Sequence, residues 1–222
     1  MVVANGLAHL VAELACWRLG AVAAPIFLGF GAERIAAVLA RLEPHVVLVD
    51  DPDLVRVVPA GARCETSAEV YRQMSSHPAN RGDRGVVGDE ACLIQFTSGS
   101  TGIPRGVVLT HDNLASQQVA FALQWPEVGP GDRLAAYLPW HHSFGGLAER
   151  LWSLCRGAEL TVVPGGGRDR QQLLATIKTV QPTIFLSVPK IHALAVEERL
   201  FRRDALRWVF TCLLYTSDAA DE

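Results

Sequence analysis

Segment 97–106, with the sequence TSGSTGIPRG, combines residue types that can bind a polyphosphate. Its three glycines allow a sharp turn and a close approach of the backbone to a ligand. Its four hydroxyl side chains can donate hydrogen bonds, successive backbone amides can form an anion-binding nest, and Arg105 adds a positive charge with a planar set of donors. The segment lies between the apolar runs CLIQF and VVLT, where a flexible Gly/Ser linker has no reason to occur. The pattern therefore predicts a phosphate-binding loop between two strands.

Two other functional loops of similar composition do not fit the spacing. A Walker A loop requires GxxxxGK followed by Ser or Thr, whereas Gly99 begins GSTGIPRG, which contains no lysine. A hydrolase nucleophile elbow requires GxSxG before a helix, whereas Ser100 lies in GSTG and precedes an apolar strand pattern. Both classes of site are excluded at this position.

A second candidate site is segment 138–145, with the sequence LPWHHSFG. His142 could donate a hydrogen bond to a carboxylate or shape a ligand pocket, and a half-buried structural histidine is the alternative. His141 is the weaker candidate, because adjacent residues in an extended chain point in opposite directions. No third ligand lies at a convincing spacing, so we expect no metal site here. Trp140 and Phe144 could line an apolar pocket or belong to the core.

The elements that must position these residues alternate between strand and helix. Predicted strands cover 21–27, 45–50, 91–97, 107–110, 133–138, 160–163, 183–187 and 206–211. Predicted helices cover 7–17 with a stop at Gly20, a stripe over 35–42 ended by Pro44, 112–124 capped by Asp112, 147–155, 171–180 and a helix that Pro189 opens. Segment 75–90 is predicted to be an exposed linker. The alternation predicts an α/β fold of mostly parallel sheets with flanking helices, in which ligands bind at the carboxyl ends of strands.

Composition excludes several classes of protein. The chain has 222 residues, of which 50% are hydrophobic and 19% charged, so it is not a disordered chain. A net charge of −3 gives no basic face for nucleic acid. Five cysteines without a CxxC pair favour a reducing compartment, and those at 92 and 155 are expected to be buried and inert. With neither a signal peptide nor an apolar span, we expect a cytoplasmic protein, with peripheral membrane contact left open.

Segment 97–106 resembles the phosphate-binding signature of the adenylate-forming enzymes, a family of acyl-CoA synthetases, luciferases and peptide-synthetase adenylation domains. Three further segments resemble elements of this family in the same order: 5–25 (NGLAHLVAELACWRLGAVAAP), 138–145 and 182–189 (PTIFLSVP). The resemblance covers about residues 2–211. Within the family, Glu149-Arg150 and PTIFLSVPKI resemble long-chain fatty acyl-CoA synthetases, although Glu149 and Arg150 fit the solvated face of a helix equally well.

The resemblance implies a reaction in which a carboxylate, here a fatty acid, attacks the α-phosphate of ATP. Pyrophosphate leaves, and the acyl-adenylate passes its acyl group to coenzyme A. The resemblance assigns His142 to the carboxylate and adenylate, with Mg²⁺ bridging phosphate oxygens. It assigns the triphosphate and pyrophosphate to Thr97, Ser98, Gly99, Ser100, Thr101, Gly102 and Arg105. Arg105 stands where the family usually has lysine, which keeps the charge but favours bidentate geometry.

The same resemblance predicts that residues 1–211 are a partial N-terminal domain of the adenylate-forming fold. The family's later Tyr-Gly-x-Thr-Glu element and its lysine-bearing lid do not follow, so we expect this chain to be inactive alone. Residues 212–222 (CLLYTSDAADE) resemble a translated sequencing adapter, and a genuine acidic tail is the alternative. Four other functions stay open: a catalytically silent nucleotide-binding module, which Arg105 favours, a peptide-synthetase adenylation domain, a luciferase-like oxygenase, and a non-functional fragment with an exposed sheet edge.

Overall fold

The computed structural model describes residues 1–76, 85–97, 104–202 and 204–211. The chain forms two compact units, which divide at residues 115 and 116 inside one helix. Each unit has its own apolar core, and the two are described separately below.

The first unit contains four helices and two strand pairs within the described ranges, together with the start of a fifth helix. The helices are α1 (Leu7–Arg18), α2 (Ala32–Leu42), α3 (Pro52–Val55) and α4 (Ser67–Ser76), and α5 (His111–Gln124) begins here. The strands are β1 (Val46–Leu48), β2 (Arg63–Glu65), β3 (Ala91–Thr97) and β4 (Arg105–Thr110). Strands β1 and β2 pair in parallel, and β3 and β4 form an antiparallel hairpin.

The apolar stripe of α2 fills the core of this unit as its spacing predicts. Ile35, Val38 and Leu39 are buried against β1, where Val47 is buried in turn. Helix α1 forms where it was predicted, and Gly20 ends it in a left-handed conformation with φ of 65°. Its predicted apolar stripe is not the buried face, because the side chain of Leu7 is 51% exposed.

The buried face of α1 carries a histidine and a glutamate instead. His9 Nε2 and Glu13 Oε2 lie 3.5 Å apart, one helical turn from each other, and both side chains are almost fully buried. Two further contacts tie the helix down: Tyr71 Oη of α4 accepts a hydrogen bond from the Ala8 N–H, and Trp17 Nε1 donates to the Cys92 carbonyl of β3. Pairing lets two titratable side chains occupy a face that the apolar pattern does not mark.

Two expectations for this unit are wrong, and three of its elements were not predicted. Segment 21–27 forms no strand, and its ladder contact is a single bridge from Ala23 to Leu93. Asp112 does not cap α5: Thr110 does, since Thr110 Oγ1 accepts from the Asn113 N–H while Asn113 Oδ1 accepts from the Thr110 N–H. Elements α3, β2 and α4 were not predicted at all. Residues 85–90 form neither helix nor strand, as expected for a linker, and 77–84 lie outside the described residues.

The second unit is built on parallel strand pairs. Its strands are β5 (Arg133–Ala136), β6 (Glu159–Val162), β7 (Ile184–Ser187) and β8 (Trp208–Thr211), with β5 paired to β6 and β7 to β8. Its helices are a π-helix (Phe144–Leu151) that continues into α6 (Trp152–Arg156), a 3₁₀ turn (Pro164–Gly167), α7 (Arg170–Val180) and α8 (Pro189–Glu197). Pro189 occupies the first turn of α8, as predicted. Three of the four described strand pairs are parallel, which confirms the α/β fold.

The buried carboxylate of Asp132 links the residues that directly precede β5 and β7. Asp132 Oδ1 accepts from Thr183 Oγ1 at 2.6 Å and from Arg207 Nη1 at 2.9 Å, and Oδ2 accepts from the Gly129 N–H at 3.0 Å. The Thr183 N–H donates to the Arg133 carbonyl, which carries the backbone hydrogen bonding across to β7. This network fixes the start of β5, whose far end leads into the second candidate site.

Candidate functional site

The two ends of the predicted phosphate-binding loop are held together by the β3–β4 ladder. Thr97 and Arg105 are direct partners across the hairpin, and Thr97 Oγ1 donates to the Arg105 carbonyl at 3.4 Å. Directly opposed residues of an antiparallel pair share a face, so both side chains lie on the same side of the hairpin. Both are exposed, and no carboxylate among the described residues pairs with the Arg105 guanidinium. This geometry leaves the cation available to an anionic ligand.

The other face of the same hairpin is apolar. An open groove of about 180 Å³ lies between it and α2. Ile94, Phe96 and Val108 line this groove with Val38 and Leu42. Gly106 keeps it open, since a Cβ there would lie 2.8 Å from Ile94 Cγ2. The hairpin therefore separates an apolar face from the face that carries the candidate phosphate ligands.

Five of the predicted phosphate ligands, Ser98, Gly99, Ser100, Thr101 and Gly102, lie outside the described residues. Their assignment stays a prediction, as does the role of Thr97 and Arg105. What the structure adds is the frame: β3 and β4 are paired up to the residues that flank this segment, so its two ends are brought together.

His142 lies in the second unit, in the turn that follows β5. Three backbone contacts hold this turn: the His142 N–H donates to the Pro139 carbonyl at 3.1 Å, the Gly146 N–H donates to the His142 carbonyl at 2.7 Å, and the Phe144 N–H donates to His142 Nδ1 at 3.2 Å. An Nδ1 that accepts a hydrogen bond places the proton of the neutral ring on Nε2. Burial also lowers the pKa of His142, which favours this neutral form. The ring is therefore arranged to donate a hydrogen bond through Nε2.

The π-helix that follows the turn carries a fully buried glutamate. The Glu149 side chain is 1% exposed, and the backbone N–H groups of Tyr137 and Leu138 donate hydrogen bonds to it. Burial raises the pKa of Glu149 well above its ordinary range, and these two hydrogen bonds only partly offset that effect. The interpretation of Glu149 and Arg150 as a solvated helix face is wrong, because both side chains are buried.

Arg150 lies under an aromatic ring of the same turn. Its guanidinium carbon is 5.0 Å from the centre of the Trp140 ring, and its Nε donates to the Gly146 carbonyl at 3.3 Å. Trp140 is 1% exposed, so the interpretation of this residue as part of the core is confirmed. Phe144 packs against the apolar core of the same unit. The contact between Arg150 and Trp140 thus stabilises the turn that carries His142.

Replacing Glu149 with glutamine is expected to change how stability depends on pH. Because the pKa of Glu149 is raised in the folded chain, the carboxyl's contribution is complete below its ordinary pKa of 4.5 and is lost as the pH rises through the raised value. The glutamine side chain is neutral throughout, so Glu149→Gln becomes more stable relative to wild type as the pH rises above 4.5 toward the raised pKa of Glu149, by up to about 1.4 kcal/mol per pH unit. Urea unfolding at several pH values measures this difference. The opposite trend would show that the carboxylate is charged in the folded chain.

The cysteines divide differently from the prediction. Cys92 is fully buried in β3, as expected, and burial raises its pKa to about 11. Cys155 is exposed on α6, contrary to expectation. The four cysteines within the described ranges are free thiols.

Comparison with known proteins decides the family of the chain. The family model described as AMP-binding enzyme matches residues 1–215. The chain belongs to the AMP-binding enzyme family. Human long-chain-fatty-acid–CoA ligase 1 is 26% identical over 212 residues, which cover 82% of this chain and 30% of that protein. Mouse mitochondrial malonate–CoA ligase ACSF3 is 25% identical over 196 residues, which cover 85% of this chain and 33% of that protein.

The fold agrees with that of solved members of the AMP-binding family. The structure of O-succinylbenzoate coenzyme A synthetase (MenE) from Bacillus subtilis, in complex with AMP, superimposes with a TM-score of 0.80. It is 20% identical in sequence, and the match covers 98% of this chain and 55% of that one. This chain therefore spans about half of that enzyme and 30% of the human relative. The predicted resemblance to adenylate-forming enzymes is confirmed.

Across the described ranges, no group of three or more His, Cys, Asp and Glu side chains is arranged to hold a metal ion. In the same part of the chain, no helix has the length and apolar character required to cross a bilayer.

Proposed function

We propose that this chain is the ATP-binding part of an AMP-forming ligase that activates a fatty acid and transfers it to coenzyme A. The observation that carries the proposal is the pairing of Thr97 with Arg105, which presents an exposed cation beside the Gly/Ser/Thr-rich segment. Backbone amides and an arginine fork are the donors that suit a triphosphate. His142 supplies a second donor, through Nε2–H, for a carboxylate or an adenylate oxygen.

The fatty acid is proposed from the relatives. The human relative is named a long-chain-fatty-acid–CoA ligase, and the mouse relative, at nearly the same identity, is named a malonate–CoA ligase. The pair Glu149-Arg150 and the run PTIFLSVPKI favour the first of these substrates. Coenzyme A is proposed as the acyl acceptor because both relatives are named CoA ligases, and no residue of this chain is assigned to bind it. Mg²⁺ is proposed to bind phosphate oxygens of ATP.

Nucleotide titration tests the binding step. Replacing Arg105 with alanine is expected to weaken ATP binding by about tenfold to a hundredfold, because one charge-assisted hydrogen bond to phosphate contributes about 1.5–3 kcal/mol. Arg105→Lys keeps the charge and is expected to keep most of the affinity. Arg56→Ala, which removes an exposed arginine of the same unit, is the control. Calorimetric titration with ATP and AMP gives the affinities, and equal ATP binding by Arg105→Ala and wild type would remove Arg105 from the site.

ATP–pyrophosphate exchange tests the reaction. Exchange is measured with this chain and with the product of the complete coding sequence, using fatty acids of several lengths and malonate. We propose that the chain, which spans 30% of its human relative, does not complete the reaction alone. Exchange that depends on fatty acid supports the proposal. Exchange that depends on malonate instead would show that malonate, not a fatty acid, is the substrate. Nucleotide binding without exchange by the complete product would identify a silent nucleotide-binding module.

A further inference from the structure

Glu149 connects the two sides of the His142 turn. The turn enters from β5 through Tyr137 and Leu138 and leaves through the π-helix, on which Glu149 lies. The carboxyl group reaches back across the turn and accepts hydrogen bonds from the backbone N–H groups of both residues. These hydrogen bonds offset only part of the cost of burying the carboxyl group, because its Oε2 atom is buried without a hydrogen-bond partner.

The π-helix lies close to the incoming backbone of the turn at Gly145. Gly145 faces the backbone of the incoming side, and a Cβ on it would lie 2.4 Å from the Pro139 carbonyl oxygen and 2.8 Å from that of Leu138. The π-helical geometry adds a residue to the turn and so changes which side chain faces β5. The helix therefore abuts the turn at Gly145 and binds it at Glu149, one helical turn further on.

We propose that Glu149 is a positioning residue, which fixes the His142 imidazole by binding the backbone of Tyr137 and Leu138 at the entrance to its turn. The inference rests on the proposed function, in which His142 contacts the carboxylate or the adenylate. Glu149 acts through the backbone and contacts no ligand. The Phe144 N–H then completes the arrangement by selecting the His142 tautomer that donates from Nε2.

The backbone N–H groups of Tyr137 and Leu138 require a hydrogen-bond acceptor at residue 149, and that acceptor need not be charged. Leu138 is buried, and removal of the carboxyl would leave backbone donors of the turn without a partner. Glutamine keeps a carbonyl oxygen at the same distance along the side chain. Leucine keeps a similar volume but offers no acceptor. These two substitutions therefore separate hydrogen bonding from packing.

Amide hydrogen exchange and histidine NMR on the 222-residue chain test the proposal. In Glu149→Leu, the Tyr137 and Leu138 amides are expected to exchange about tenfold faster or more, while the buried β7 amides of Phe185 and Leu186 keep their rates. The pKa of His142 is expected to rise toward its ordinary value, because the ring becomes more solvated. In Glu149→Gln, both readouts stay close to wild type. Glu197→Leu, an exposed glutamate of α8, is the control.

Three outcomes would overturn the proposal. Unchanged exchange and an unchanged His142 titration in Glu149→Leu would show that the turn holds without this residue. Loss of both readouts in Glu149→Gln would show that the charge, not the acceptor, matters. Equal acceleration at Tyr137, Leu138 and the β7 amides would show a general loss of stability instead of a local one. None of these readouts requires nucleotide, so failure of the ATP titration leaves this test intact.

Discussion

Replacing Gly145 with alanine is expected to lower the free energy of unfolding by about 3 kcal/mol, at the upper end of the usual cost of overpacking. The new Cβ would lie 2.4 Å from the Pro139 carbonyl oxygen and 2.8 Å from the carbonyl carbon of Leu138. Both are backbone atoms, which cannot rotate away as the end of a flexible side chain can. The π-helix must therefore move away from the turn that carries His142. Urea denaturation, followed by circular dichroism, measures the loss of stability.

The matched control for Gly145→Ala is Gly129→Ala in the same unit. A Cβ on Gly129 would lie 3.8 Å from the Arg156 carbonyl oxygen, which is an ordinary contact. Alanine there also restricts the unfolded chain, so we expect little change or a small gain in stability. Equal effects of the two substitutions would contradict the close packing of the π-helix on the turn.

The second large effect is expected for Asp132→Ala, which removes the buried carboxylate between β5 and β7. Three donors lose their acceptor: Thr183 Oγ1, the Gly129 N–H and Arg207 Nη1. Thr183 is buried, so its hydroxyl hydrogen is left without an acceptor, while its Oγ1 still accepts from the Arg133 N–H. The Arg207 side chain is 44% exposed and water screens its ion pair, so the cost comes mainly from the two other hydrogen bonds and is about 2–3 kcal/mol. The midpoint of urea unfolding is expected to fall accordingly.

Asp204→Ala is the control for Asp132→Ala. Asp204 pairs with Arg202 at 2.9 Å, but both side chains are more than two-thirds exposed. Water and salt screen such a pair, so its removal is expected to leave the unfolding midpoint almost unchanged. If both substitutions had the same small effect, the network around Asp132 would not stabilise the junction of the two strands.

The predictability of the fold from sequence differs between α1 and α2. Helix α2 follows its apolar stripe, because Ile35, Val38 and Leu39 face the core at a period that the sequence shows directly. Helix α1 does not, because its buried face includes the paired His9 and Glu13. A periodicity argument treats polar residues as exposed, and it cannot detect that two of them pair with each other four residues apart.

Short elements and helix caps were predicted less well, because too few residues define them in the sequence. Strand β2 and helix α3 span three and four residues, which is too short for a hydrophobic period to repeat. Segment 21–27 has the apolar composition of a strand, yet only Ala23 finds a ladder partner. The cap of α5 was misplaced by two residues, because Thr110, Asp112 and Asn113 are all capping types and only the hydrogen bonds distinguish them.

For the candidate site, the residue types indicated the chemistry but not the contacts that hold the site residues in position. The hydroxyls, glycines and arginine of segment 97–106 are visible as residue types, and so is His142. The hydrogen bonds from Tyr137 and Leu138 to Glu149 come from backbone groups, which have no signature in the sequence. The clash that requires Gly145 likewise depends on a contact with Leu138 and Pro139 that only the folded chain defines. The pair Glu149-Arg150 was visible, but its burial was not.

The π-helix at Phe144–Leu151 also limits how this gene can vary in length. Each residue of an α-helix turns the chain by about 100°, and a π-helical turn holds one residue more than an α-helical one. A single-codon deletion between residues 144 and 151 would relax the segment toward an α-helix and rotate the side chains before the deletion relative to Trp152, which stays in the core. Point substitutions do not have this effect. Among relatives of this chain, insertions and deletions are therefore expected in the connections between elements, while this stretch keeps a constant length.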